Sequence, residues 1–454
     1  MAAVTEYVLK TPPGGVKNID HDALCDLLNI DDPSRVIFEQ ARGEAVVRVF
    51  PTHPLMNMRP VTGADLTMDS RGRITVGAYY DGSPLRIRLF DPKTGNAQRM
   101  AIFGTTGAGK SRALQSVLAA CKRSGIVVHL ADLKEGQSVP EAAGNVATRV
   151  TTQKGAIRLL RRLVLEAERR MKAYGEMGRS GFIIGDPDPL MYGVIDEANR
   201  LLEKGAPYRD EAAGLIKELG RTGRSVGVGI ILAAQAGHLE EMGGSDTLRG
   251  MLKEGEVILL RWSSAMMAQL VSDGLLPRGQ SLQPIPKIVG QVRRIRRWNE
   301  TADEDEDEPN SQGMCYHLTS ARPTSMARFY LVGSITPCRG HDPVILALYG
   351  DSSPPGKPLD LDDAPDLEAL APGVAPAPPA APATSAAMPP GPVTLADRIT
   401  AALAGSPLTE ADLMAAVNAD GHKQIKRGSL RTRVSDLRRD GVIGPPDGGL
   451  VTLS

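Results

Sequence analysis

A chain of 454 residues, 42% of them apolar, is long enough for two or three domains with sizeable buried cores. Its 53 basic side chains are matched by 53 acidic ones, which excludes a molecule-wide basic field and leaves only local patches for contact with a polyanion. Aromatic residues are scarce at 4% while Gly and Pro number 48 and 34, so aliphatic cores with many connections are expected, as in an α/β protein. The four cysteines, Cys25, Cys121, Cys315 and Cys338, show neither a C-x-x-C pair nor ligand-spaced histidines. That pattern gives no metal cluster and suits a reducing compartment. Met1 to Pro12 lacks the basic start and apolar core of a signal peptide. The most apolar run, Val226 to Ala236, is far shorter than the roughly 20 residues that span a bilayer. A cytoplasmic chain, associated with a membrane only through a membrane-protein partner, is expected.

Residues 1–70 carry no readable motif beyond short apolar patches separated by turn residues. From Ile74 the pattern sharpens. Ile74 to Gly77 and Leu85 to Leu89 alternate in period two around Asp81-Gly82, which predicts a hairpin leading into a strand at Met100 to Phe103. Between Met100 and Gly290, short apolar runs alternate with longer helical stretches. Strands are expected at Ala101 to Phe103, Ile126 to Ala131, Gly193 to Ile195, Gly227 to Ala234 and Glu256 to Trp262. Helices are expected at Ser111 to Arg123, Lys154 to Met177 and Tyr208 to Arg221. That order predicts a mostly parallel sheet with crossover helices.

Within this stretch, Gly104-Thr105-Thr106-Gly107-Ala108-Gly109-Lys110-Ser111 fits G-x-x-x-x-G-K-[ST], placed between a predicted strand and a predicted helix. Glycines let the backbone N–H groups wrap a phosphate chain, and the helix N-terminus adds partial positive charge. Lys110 would reach the outer phosphates and Ser111 would ligate magnesium, so ATP with Mg2+ is the expected pairing. Val194-Ile195-Asp196-Glu197 ends an apolar run with two carboxylates, Asp196 to hold the metal and Glu197 to polarise the attacking water. Gln235 closes the next strand, where an amide can sense the terminal phosphate. Arg221 and Arg224 precede that strand, and either could act as an arginine finger on a neighbouring subunit; solvated surface arginines are the equal alternative.

After the sheet come a basic segment, Gln291 to Trp298, and an acidic run, Asp303 to Glu308, both compatible with ordinary solvated structure. Arg293 to Arg297 would fit a polyanion path or a charged edge strand equally well. His317, His341 and Met266-Met267 read as structural. Asp351 to Pro392 is rich in Pro and Ala and reads as a semi-rigid linker. Val393 to Ser454 follows winged-helix order: helices at Leu395 to Leu403, Thr409 to Asn418 with Thr409 as N-cap, and Ser429 to Asp440, then a hairpin at Val442 to Ser454. The third helix has an apolar stripe of Leu430, Val434 and Leu437 and carries Arg431, Arg433, Arg438 and Arg439, preceded by Lys423, Lys426 and Arg427. Concentrated on one element, this charge suits DNA binding in the major groove; a protein-interaction module with a solvated basic face is the alternative.

With these pieces in place, the chain resembles the FtsK/SpoIIIE family of DNA-pumping ATPases over Ile74 to Leu270. The resemblance rests on the Gly104 to Ser111 loop, Ile195-Asp196-Glu197, Gly220-Arg221-Thr222-Gly223-Arg224-Ser225-Val226-Gly227 leading into Ile230 to Gln235, and Leu259 to Ser264 with Arg261. The Ala131 to Lys134 strand end also looks like the family's second strand. Gln235 is followed by Ala236-Gly237, where family members place Arg-Pro. The resemblance implies an α/β, RecA-like P-loop core with a mostly parallel sheet at 71–350; a small β-rich region is expected ahead of the core, and 1–70 is an N-terminal region of unknown role. The resemblance also implies a flexible linker at 351–392 and a winged helix at 393–454. A hexamer moving double-stranded DNA is implied, similar to the conjugative DNA-transfer proteins of actinobacterial plasmids and mobile elements. The competing expectations are a coupling or secretion ATPase acting on single-stranded DNA or protein, and an ATP-switched partition or regulatory protein that binds DNA.

Overall fold

A computed structural model describes residues 4–10, 20–41, 44–235, 255–261, 282, 284–290, 309–319, 322–362, 395–404, 408–418, 430, 433–435, 437–438, 443–444 and 450–451. The chain divides into two units, residues 1–372 and 373–454.

The first unit opens on a small antiparallel sheet of β1 (Thr5–Lys10), β2 (Val36–Ala41) and β3 (Glu44–Val49), with β3 central. Helix α1 (His21–Leu27) packs its Leu24 and Cys25 against Val36, Phe38 and Val47. This places a small β-rich layer ahead of the main sheet, in the stretch whose role the sequence left open.

A ten-stranded sheet follows, built from β4 (Arg73–Tyr79), β5 (Pro84–Arg88), β8 (Arg99–Gly104), β9 (Val127–Asp132), β10 (Thr148–Val150), β11 (Met191–Asp196), β12 (Val228–Ala234), β13 (Glu256–Leu260), β14 (Met314–Thr319) and β15 (Arg322–Phe329). Between β5 and β8 lies a two-residue hairpin, β6 (Phe90–Asp91) with β7 (Asn96–Ala97). The sequence led the first hairpin straight into β8. The extra turn forms because the Asp91 carboxylate accepts hydrogen bonds from Lys93 N and Thr94 Oγ1 and Gly95 takes φ +65°.

The order β10-β9-β11-β12-β8-β13-β14-β15-β4-β5 is parallel from β10 to β13 and antiparallel from β13 to β5. Strands β8, β9, β11, β12 and β13 are buried at every residue, as parallel strands covered on both faces must be, so they read as continuous apolar runs. Strand β5 instead alternates exposed and buried positions. The covering helices are α2 (Lys110–Arg123), α3 (Gln153–Glu176), the short α4 (Asn199–Leu202), α5 (Arg209–Thr222) and α6 (Pro343–Tyr349). Helix α3 is capped by Thr152, whose Oγ1 accepts Gly155 N at 3.1 Å, and turns Leu159, Leu160, Leu163 and Val164 inward.

The antiparallel half carries buried polar groups that are satisfied across the sheet. His317 is held between the Tyr79 hydroxyl, 2.8 Å away, and the Glu256 carboxylate, in keeping with its expected structural role. Arg328 donates to the carbonyls of Leu55, Met56, Asn310 and Gln312 at 2.8–2.9 Å. The main core reaches beyond the expected limits of 71–350. Phe50, Leu55, Val61 and Leu66 are part of it, and Leu359 and Leu361 pack against it, with Leu359 N donating to Thr148 Oγ1 at 2.8 Å. The stretch 351–362, read as linker because of its composition, is therefore an edge of the first unit; residues 363–392 lie outside the described residues.

Two buried histidines give this unit an acid-sensitive core. His53, 4% exposed, accepts Leu55 N on Nδ1 at 3.1 Å, and His129, fully buried, meets Thr148 Oγ1 at 3.0 Å. Burial lowers each pKa from 6.5 to about 4. Nearby Asp32 and Glu166 oppose the shift, while Arg328 and Arg170 add to it. Because the folded chain binds these protons less readily than the unfolded chain, the stabilisation is complete above about pH 6.5 and is lost as pH falls toward 4. Each histidine is expected to account for about 3 kcal/mol at the acid end. Urea denaturation across this range checks it: His129→Leu should flatten the profile, and an unchanged profile would contradict the assignment.

In the second unit, α7 (Leu395–Leu403) and α8 (Glu410–Asn418) share a core with Leu430, Val434, Leu437, Ile443 and Val451. The apolar stripe expected of the third helix is thus buried. Thr409 Oγ1 accepts Asp412 N at 3.2 Å, the cap expected at the start of α8. Strand β16 (Leu408–Thr409) pairs with β17 (Leu450–Val451), so the end of the expected hairpin joins the segment before α8.

Candidate active site

Strand β8 ends at Gly104, and the loop that follows turns into α2 at Lys110. Gly107 and Gly109 take φ +73° and +99°, left-handed conformations that let the chain curl back on itself. No side chain caps the start of α2, so its first N–H groups and its dipole remain available to an anion. The loop is braced from behind by the turn before β14: Gly313 N donates to Ala108 O at 2.9 Å, and a Cβ on Gly109 would stand 3.0 Å from Gly313 N. The outer residues, Thr106 and Gly107, are exposed. This brace was not visible in the sequence, because the turn lies about two hundred residues further along the chain.

Strand β12 is inserted between β8 and β11, with Ala234 opposite Phe103 and Ala233 opposite Asp196. The parallel register therefore brings the ends of all three strands to one edge of the sheet. There Lys110 Nζ lies 2.7 Å from Asp196 Oδ1 and 3.0 Å from Glu197 Oε1. Lys110 is 8% exposed, Glu197 5% and Asp196 not at all, so one cation faces two carboxylates in a water-poor setting. Glu197 holds φ +54°, an uncommon conformation for a residue with a side chain, and its N–H donates to Asp196 Oδ1 at 2.9 Å. Gln235 reaches the same group, its Nε2 donating to Glu197 Oε1 at 3.4 Å. The loop, Lys110, Asp196, Glu197 and Gln235, each singled out from sequence, thus form one cluster.

The donor set fits a magnesium ion. Asp196 Oδ2 and Glu197 Oε2 are buried and have no hydrogen-bond partner among the described residues. Ser111 stands in the first turn of α2, half-buried. Hard oxygen donors with unspent lone pairs beside a phosphate-shaped loop are what that ion requires.

Arg221 and Arg224 are not in this cluster. They precede β12, whereas Gln235 follows it, so about seven residues of extended chain, roughly 23 Å, separate them from Glu197. Arg221 pairs with Glu218 at 2.8 Å, and both arginines line a cleft of about 360 Å³ with Asn96, Arg99 and Lys217. In the second unit, Arg433 and Arg438 are half-buried, and Arg438 Nε donates to Gly444 O at 3.1 Å. Lys423, Lys426, Arg427, Arg431 and Arg439 lie outside the described residues, as do Arg293 to Arg297, the acidic run and Ala236-Gly237. Among the described residues no helix is long and apolar enough to cross a membrane.

No protein-family model matches the sequence, and no curated protein matches it. Solved structures similar to the chain include the pCW3 conjugation coupling protein TcpA in a monomer form with ATPγS, at 15% identity and a TM-score of 0.47. That match covers 72% of this chain and 85% of the other. The cytoplasmic domain of the type VII secretion ATPase EccC from Thermomonospora curvata is similar at 19% identity and a TM-score of 0.44, over 83% of this chain but only 37% of that one. B204, the DNA-packaging ATPase from Sulfolobus turreted icosahedral virus, is similar at 13% identity and a TM-score of 0.30, over 52% and 98%. On the geometry of its own residues, the chain sets a glycine loop and its lysine against two convergent carboxylates at one edge of a parallel sheet, an arrangement suited to binding and hydrolysing a nucleotide.

Proposed function

We propose that the chain is an ATP-driven motor that moves double-stranded DNA, in plasmid conjugative transfer or related mobile-element traffic. The observation that carries the catalytic half of this reading is the Lys110 ammonium set between Asp196 and Glu197 at the foot of the glycine loop. The N–H groups of residues 104–109 hold the phosphates, and Lys110 turns toward them as negative charge builds on the outer end. Ser111 and Asp196 would hold Mg2+, which when bound would supply Lewis-acid polarisation of the phosphate oxygens. Glu197 takes the proton from water as its oxygen bonds to the γ-phosphorus and the bridging oxygen leaves with ADP. Gln235, hydrogen-bonded to Glu197, reports the loss of the terminal phosphate to β12.

Three features support the motor half. The stretch Gly220 to Gln235 matches the resemblance noted in the sequence. Arg221 and Arg224 lie too far from their own subunit's carboxylates to act there, so an arginine finger at either would serve a neighbour in a ring, taken here as a hexamer. The second unit buries the apolar stripe of its third helix, in keeping with the reading of that helix as the DNA-reading element of a winged helix. ATPase rates measured against duplexes of increasing length, with single-stranded DNA and DNA-free controls and native mass, test this reading. A rate that rises with duplex length and a six-subunit mass are expected. Stimulation by single strands alone would assign the chain to the coupling ATPases, and no response to any DNA would refute DNA movement.

A further inference from the structure

Arg261 follows β13 directly, and the pairing of Leu260 with Gly104 sets it beside the glycine loop. Its backbone takes φ +43°, a left-handed conformation that a residue with a Cβ keeps only when its surroundings impose it. Its N–H is tied to Met314 O at 2.9 Å, the start of the strand whose preceding turn braces the loop. The side chain is directed inward: Arg261 is 5% exposed, and a Cβ on Gly107 would stand 3.6 Å from its Nη1. Both Nε and Nη2 are buried without a hydrogen-bond partner among the described residues.

Two other deeply buried arginines of this unit, Arg170 and Arg328, have their donors taken up by backbone carbonyls or a carboxylate. Arg328 donates to four backbone carbonyls, and Arg170 to the Glu166 carboxylate and the carbonyls of Pro189 and Val226. A guanidinium that is merely structural is placed in that way, because a buried cation without partners is unfavourable. Arg261 instead presents a fixed fork of donors to a loop shaped for phosphate.

We propose that Arg261 contacts the phosphate chain of the nucleotide bound in its own subunit, donating from Nη1 and Nη2 across Gly107. The proposal rests on the reading of Gly104 to Ser111 as the nucleotide loop. It gives the site a cation that, unlike Lys110, makes no ion pair with Asp196 or Glu197 among the described residues. It also makes the strained turn after β13 part of the site, so that phosphate binding is felt at the junction of the parallel and antiparallel halves of the sheet.

The test uses the full chain, with Arg261→Met and Arg261→Gln compared with wild type and Lys110→Ala. Titration with ATPγS and Mg2+ should show affinity reduced at least about tenfold, with hydrolysis reduced by roughly 10²-fold. The thermal midpoint without nucleotide should be equal to or above wild type, since a buried unpartnered cation has been removed. If both variants bind ATPγS as wild type does while Lys110→Ala does not, the role of Arg261 is refuted and the nucleotide site stands. A lowered midpoint with unchanged affinity would make Arg261 structural. Failure of wild type to bind ATPγS would remove both readings.

Discussion

Replacing Lys110 with alanine is expected to abolish ATP hydrolysis and to weaken the fold, and the two losses have one cause. The lysine is the cation between two carboxylates that are 0% and 5% exposed, and without it both negative charges are left facing each other away from water. Removing one partner from a buried ion cluster costs about 3–5 kcal/mol. Added Mg2+ should recover part of it, because the unpartnered oxygens Asp196 Oδ2 and Glu197 Oε2 then gain a counter-charge. Urea denaturation with and without Mg2+, alongside an ATPase assay, separates these effects. A variant as stable as wild type and turning over ATP normally would mean that the cluster is incidental.

Glu197→Gln is the complementary case, in which hydrolysis should fall while binding survives. Glutamine preserves the length of the side chain and its reach to Lys110 and Gln235, but it cannot accept a proton from water. Loss of a general base costs about 10²- to 10⁴-fold in rate. ATPγS affinity should remain within a few-fold of wild type, since the phosphates are held by the loop and by Lys110. The left-handed backbone at Glu197 supports a role that places the carboxylate where an unstrained residue would not, at a conformational cost of about 1–2 kcal/mol. Single-turnover hydrolysis by Glu197→Gln within a few-fold of wild type would exclude Glu197 as the base. Loss of binding together with rate would instead make it chiefly a metal ligand.

The parallel half of the sheet was legible because its strands are buried on both faces and therefore unbroken apolar runs, with a glycine loop and an acidic pair marking which ends converge. Gln235 and Glu197 were picked out separately, and the insertion of β12 between β8 and β11 explains why they meet. Of the antiparallel half, the β4–β5 hairpin was legible from its period-two alternation, and β14 and β15 were not. Strands β14 and β15 carry His317 and Arg328 in their interiors, and these polar residues are buried only because Glu256, Tyr79 and four carbonyls far away in sequence satisfy them. A local pattern cannot announce such partners. The edges of the first unit were misjudged for a related reason: Leu359 and Leu361 lie in proline-rich surroundings, yet they find apolar surface on a core built elsewhere. Arg221 and Arg224 could be named but not placed; their position at the opposite end of β12 from the carboxylates follows from the parallel register alone.

A crystal structure of the full chain with ATPγS and Mg2+ tests the central claim most directly. The expected result has the phosphates lying along residues 104–110 within about 3 Å of the backbone N–H groups, with the metal between Ser111 and Asp196 and Lys110 Nζ moved from the carboxylates onto a phosphate oxygen. A nucleotide bound elsewhere, with Lys110 still 2.7 Å from Asp196 and 3.0 Å from Glu197, would contradict it.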